Sequence, residues 1–125
     1  MKRNSHRSKA GFTLVEIMIV VAIIALLAAI MIPNLLKSRA TSQANACINN
    51  LRQIDAAANQ FAVEQHKRTG DDINYPNDLT PYVKLNKQGS IPSCPVGGYY
   101  YQDAKVGSIP TCSLGTSVTP VHILP

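Results

Sequence analysis

Between Lys9 and Lys37 the chain has no lysine, arginine or histidine, and its one carboxylate there is Glu16. Every residue from Ile17 to Ile32 is apolar, and Phe12 to Val15 adds only a threonine hydroxyl, so Phe12 to Ile32 is a run of 21 residues with one charge. A bilayer core of ~30 Å needs ~20 apolar residues in a helix. The run is therefore read as a spanning segment. No Ala-x-Ala site closes it, and it exceeds the ~7–15 residue apolar core of a cleaved secretory signal, which excludes that reading.

Other absences narrow the function. There is no Cys-x-x-Cys, and His66 and His122 have no ligand-spaced companions, so neither a zinc site nor any other bound metal or cofactor is expected. Nothing pairs a nucleophile with its base, and no glycine loop suited to phosphate is present, so no catalytic residue and no enzymatic activity are expected. Asp71, Asp72, Asn74, Asn77 and Asp78 offer oxygen atoms, but their spacing is not that of an EF-hand loop, and they read as solvated turn residues.

The charge that is present is unevenly placed. Lys2, Arg3, Arg7 and Lys9 have no acidic neighbour, whereas the rest of the chain holds eight Lys/Arg against seven Asp/Glu. The basic pI of 9.3 thus reflects a leader and does not mark the folded part as a nucleic-acid binder. A basic flank beside a spanning segment places residues 1–11 in the cytoplasm and everything after Leu36 across the membrane.

Glu16 then needs a partner, because an ionisable side chain in a spanning helix costs a few kcal/mol by insertion scales, of order ~3. Two readings stand: it reaches back toward the headgroups and Lys9, or the chain is cut after Gly11 and the new amine of Phe12 supplies the charge. Such an amine has a reference pKa of ~7.7–8.0. In one helix Phe12 and Glu16 would be an i, i+4 pair, able to meet within or between subunits.

The stretch Lys9-Ala10-Gly11-Phe12-Thr13-Leu14-Val15-Glu16-Ile17, with its basic leader, resembles the leader junction of type IV prepilins and type II secretion pseudopilins. The resemblance implies cleavage after Gly11 by a membrane prepilin peptidase and N-methylation of Phe12. It also makes Glu16 the acid that neutralises a neighbouring subunit's N-terminus during filament assembly. Pro33, the twenty-second residue counted from Phe12, matches the family's helix-loosening proline. Implied partners are the peptidase, identical or related pilin subunits, an inner-membrane assembly platform and membrane lipid. The precursor would sit in the bacterial inner membrane as a single-pass protein with a cytoplasmic N-terminus, and the assembled filament in the periplasm or at the cell surface. A different class, a membrane-anchored periplasmic binding domain outside any filament, needs a cleft that the C-terminal residues hardly supply.

Pro33 lacks the N–H that would bond the carbonyl of Ala29, so it either ends the span or bends a longer helix. Beyond it Ala40, Ala44, Cys47, Leu51, Ile54, Ala58 and Phe61 recur at alternating spacings of 3 and 4, with Lys37, Gln43, Asn50, Asp55 and Asn59 off the stripe. One helix from Phe12 to about Gln65, kinked near Pro33, is expected: residues 12–36 for membrane and assembly, 37–66 as an amphipathic continuation. Thr69-Gly70-Asp71-Asp72 stops it.

The remaining residues are too few for a large independent core, so 67–125 are expected to form a small head packed on the stripe. Leu79, Tyr82 and Val83 in a helix-like turn should cover it. A hairpin is expected from Tyr99–Tyr101, through a turn around Asp103–Lys105 or Val106-Gly107, to a strand ending near Cys112. Gly97 and Gly98 mark a bulge or tight entry, alternate tyrosines of the strand should pack inward, and the tail from Gly115 is either an edge strand or loose. The fold class is α+β. The three cysteines suit export, and Cys94 and Cys112, equidistant from Asp103, are the expected disulfide. Cys47 is either a buried thiol or a partner of one of them.

Overall fold

The computed structural model describes residues 11–125, so the leader cations and the Lys9 contact lie outside the described residues. Its first element is a single helix, α1, Leu14–Glu64, followed by two short strands, β1 at Tyr100–Tyr101 and β2 at Thr111–Cys112. The α+β class expected from the pattern is the one observed. Pro33 lies inside α1 and does not end it.

Two units are distinguished, one up to Leu36 and one from Lys37 to Pro125. In the first, the large apolar side chains from Phe12 to Leu36 are exposed. The helix they belong to is long and apolar enough to cross a membrane, and none of its most apolar window is buried.

In the second unit α1 has a different character. Ala44, Cys47, Leu51, Ile54, Ala57, Ala58, Phe61 and Ala62 are buried, so the stripe read from the spacing packs from Ala44 onward, widened by Ala57 and Ala62, while Ala40 at its start is only half-buried. Small residues beside Leu51 and Ile54 let loop segments approach the helix closely. Ile73, Leu79, Val83, Cys94, Tyr100, Val106 and Cys112 complete the core. Leu79 and Val83 come from consecutive turns closed by bonds from the N–H of Tyr82 and of Val83 to the Leu79 carbonyl, at 2.9 and 3.2 Å.

The helix ends in a left-handed cap. His66 has a φ of 53°, and the Lys67 N–H bonds the Ala62 carbonyl at 2.8 Å while the His66 N–H reaches Val63 at 3.3 Å. This pairing is the Schellman arrangement, which satisfies carbonyls that the helix leaves open.

The hairpin is shorter than expected, and its centre lies elsewhere. β1 pairs with β2 antiparallel, Tyr100 opposite Cys112 and Tyr101 opposite Thr111, which puts the turn's midpoint at Val106 and not at Asp103. Gly107, at φ +88°, makes that turn; a Cβ there would lie 2.8 Å from Thr69 Cγ2. The turn is itself paired: the Val106 N–H bonds Asp71, and the Gly70 N–H bonds Val106, both at 2.9 Å. Tyr100 points inward while Tyr99 and Tyr101 are exposed, reversing the expected alternation because the register, not the run of tyrosines, sets which face is buried. The tail is not a strand. Bonds from Gly115 to the Cys112 carbonyl at 2.9 Å and from His122 to the Gly115 carbonyl at 2.7 Å pin it, and His122 is buried.

Candidate functional site

Two places carry chemistry. At the first, Gly11, Phe12 and Thr13 precede the helix and are exposed, with Phe12 at 87%. Among the described residues nothing lies within 4 Å of where a Gly11 Cβ would be.

Thr13 caps α1. Its hydroxyl accepts from the Glu16 N–H at 3.2 Å, while Glu16 Oε2 accepts from the Thr13 N–H at 2.8 Å and from Oγ1 at 2.9 Å. This reciprocal capping box satisfies donors that every helix start leaves open. The helix therefore begins at Leu14, two residues later than the sequence reading, and Phe12 is not in it. Thr-x-x-Glu before an apolar run is the sequence signal of such a box.

At the second place, four buried side chains converge. Cys47 comes from α1, Cys94 from the turn before β1, Cys112 from the end of β2 and His122 from the tail; their ligand atoms all lie within 4.8 Å of one another. The structure thus brings Cys94 and Cys112 together as expected, but as free thiols alongside a third, Cys47. The hairpin symmetry invoked for them does not apply, since Cys94 enters from a tight turn. In that turn the Gly97 N–H bonds the Cys94 carbonyl at 2.9 Å, and the Cys94 N–H bonds that of Gly98 at 3.0 Å. His122, for which the sequence showed no companion, has Nδ1 3.3 Å from Cys94 Sγ. Residues so scattered in the chain give no spacing signal; only the fold gathers them.

Burial pushes the Cys47 thiol up to about 12 and raises that of Cys112. Opposing this, the Tyr100 hydroxyl favours the Cys47 thiolate, and the backbone at Leu114 favours that of Cys112. Tyr100 is oriented by Asn50, whose Nδ2 donates to its hydroxyl at 3.1 Å.

The acidic turn residues are engaged locally. Asp71 Oδ2 accepts from the Arg68 N–H at 2.8 Å, Asp78 Oδ2 from the Asn74 N–H at 2.9 Å, and Asp72 Oδ1 from Lys105 Nζ at 2.6 Å.

Comparison with known proteins bears on the first place. Residues 6–32 match the family described as the prokaryotic N-terminal methylation motif. The type IV major pilin protein PilA of Myxococcus xanthus is 47% identical over 57 residues, which is 46% of this chain and 26% of that protein. The type II secretion system core protein G of Klebsiella michiganensis is 28% identical over 106 residues, 85% of this chain and 66% of that protein. The type IV wide pilus major component PilA4 of Thermus thermophilus is 64% identical over 33 residues, 26% of this chain and 25% of that protein. The chain thus spans about a quarter of the two pilins and just under two thirds of protein G. No solved structure matches.

The chain combines an N-terminal apolar helix of membrane-spanning length, opened by the Thr13–Glu16 capping box, with a small α+β head. By its methylation motif and these relatives the chain is similar to type IV pilins and to a type II secretion core protein.

Proposed function

We propose that the chain is a structural, non-enzymatic subunit of a filament, either a type IV pilus or a type II secretion pseudopilus. It is cleaved after Gly11 by a prepilin peptidase, methylated at Phe12, and drawn from the inner membrane by an assembly platform. The observation that carries this reading is the bare apolar surface from Phe12 to Leu36, within a matching methylation motif. In the precursor that surface faces lipid, with the leader cytoplasmic and the head across the membrane. In a filament the same surface is covered by copies of itself, so one segment serves as anchor and as assembly core. Pro33, which cannot donate to the Ala29 carbonyl, supplies a point at which the helix loosens during extraction.

Cleavage changes the electrostatics of the helix start. The new amine of Phe12 is largely protonated at neutral pH, with a reference value of ~7.7–8.0. Packed among apolar helices, it needs the carboxylate of Glu16 on a neighbouring subunit. The cap and the charge are separable: glutamine at the third helical position keeps the capping-box hydrogen bond but carries no charge. Glu16→Gln is therefore expected to insert and be cleaved normally, yet to appear in sheared filaments at a tenth of the wild-type amount or less, since breaking a buried pair costs ~3–5 kcal/mol. Thr13→Val, which loses the cap hydroxyl but keeps the charge, should assemble far better. Wild-type filament yield from Glu16→Gln would sink the intersubunit role.

A further inference from the structure

We propose that Cys47, Cys94, Cys112 and His122 form a tetrahedral zinc site that ties the head to the second half of α1. This goes beyond the filament reading and does not depend on it.

The ligand count and types are those of a closed Cys3His structural site, in which zinc takes four thiolate or imidazole donors and keeps no open position. Bond lengths of about 2.3 Å to sulfur and about 2.0–2.1 Å to nitrogen put the edges of such a tetrahedron at about 3.5–3.8 Å. The four atoms here already lie within 4.8 Å of one another, so closing on an ion needs shifts of about an ångström or less. Each ligand is anchored on a different segment: helix, turn, strand and tail. All are buried, at 0, 3, 5 and 2% exposure in chain order.

The surroundings are made for these sulfur atoms. Gly98 has no side chain where a Cβ would sit 3.1 Å from Cys112 Sγ, and Gly115 has none where one would meet the Cys112 and His122 carbonyls at 3.1 and 3.5 Å. Larger residues at either place would push the strand and the tail apart.

The competing chemistry is oxidation of two of the three thiols. Any such bridge leaves one thiol and one imidazole buried together, with His122 Nδ1 facing sulfur. Zinc engages all four groups at once. On binding, three thiol protons leave to solvent as three Zn–S bonds form and the neutral imidazole donates its lone pair; nothing is oxidised or reduced. Three thiolates with nitrogen select zinc over the hard cations magnesium and calcium.

The test uses the full chain purified in detergent under reducing conditions, stripped with chelator and titrated with Co2+ alone, then with Zn2+ alone. Expected are one equivalent of cobalt with the intense visible bands of tetrahedral thiolate coordination, bleached by one equivalent of Zn2+, and a thermal midpoint raised by Zn2+. His122→Cys, which keeps four ligands, should retain the bands; His122→Ala and Cys47→Ala should bind zinc at least tenfold more weakly while circular dichroism confirms that they remain helical. Absence of tetrahedral bands in the wild-type chain, or unchanged zinc affinity in both alanine variants, would overturn the site. So would a Cys94–Cys112 bridge in protein isolated without reductant whose zinc content is nil.

Discussion

Tyr82 donates its phenolic proton to Glu64 Oε2 at 2.6 Å, and Gln60 Nε2 donates to Oε1 at 3.1 Å. The phenol first, and the amide second, hold the Glu64 carboxyl below its ordinary 4.5, while the same bond raises Tyr82. A carboxylate depressed in the folded state contributes stability that is present above its unfolded pKa and lost as pH falls through the lower folded value. A phenol raised in the folded state contributes stability that is present below its unfolded value, ~10, and lost as pH rises through the folded one. Tyr82→Phe should therefore move the Glu64 midpoint back toward the ordinary value and flatten both limbs of the stability profile. Carboxyl-carbon NMR titration checks this; an unmoved Glu64 midpoint would show that the bond is absent in solution. The sequence reading placed Tyr82 on the helix stripe for its ring, and its ring does meet Phe61 edge-on at 6.2 Å between centroids. Its hydroxyl bond was not legible, because a partner 18 residues away leaves no local pattern. The Thr13–Glu16 box was legible, since a spacing of three is itself the signal.

At the scale of elements, the helix was the most readable part, because a 3.6-residue period repeated over many turns identifies both the element and its buried face. Its end was read to within one residue, about Gln65 against Glu64, but the residue that makes the cap was not. Gly70 looked like the stop, yet the left-handed position is taken four residues earlier by His66. An L-residue in that conformation costs roughly 1–2 kcal/mol, and glycine gives part of that back through its freer unfolded state. His66→Gly should stabilise the head by about 0.5–1 kcal/mol, a rise of ~2–8 °C in thermal midpoint for a unit of this size. His66→Val, β-branched and still less suited to positive φ, should shift it the other way. Equal midpoints for the three chains in differential scanning calorimetry would mean that the cap frays. The strands were harder to read, since two-residue pairings carry too little alternation to set a register. Gly107 fixes the turn through its positive φ and its contact with Thr69, and the partner segment Gly70–Ile73 lies far back in the chain.

For the molecule as a whole, the core is shared. Cys47, Leu51, Ile54, Ala57, Ala58, Phe61 and Ala62 come from α1, and Ile73, Leu79, Val83, Cys94, Tyr100, Val106 and Cys112 from the segments after it. Neither set is sufficient: the helix offers one stripe, and the head segments hold only four strand residues in regular pairing. Every one of these side chains nevertheless lies between Lys37 and Pro125, as does the full sulfur and imidazole cluster. The apolar residues up to Leu36 contribute none of them. A chain of residues 37–125 should therefore be soluble and unfold in one cooperative urea transition, whereas residues 67–125, deprived of the stripe, should show no cooperative transition. Within the shorter soluble chain, Leu51→Ala opens a cavity at a wholly buried site, and a loss of ~2–5 kcal/mol is expected, read as a lower urea midpoint at unchanged slope. The same substitution in the full-length protein should leave membrane insertion untouched, because none of the buried core residues belongs to the apolar segment proposed to span the membrane. A non-cooperative melt of residues 37–125 would show that the head needs the first unit in order to fold.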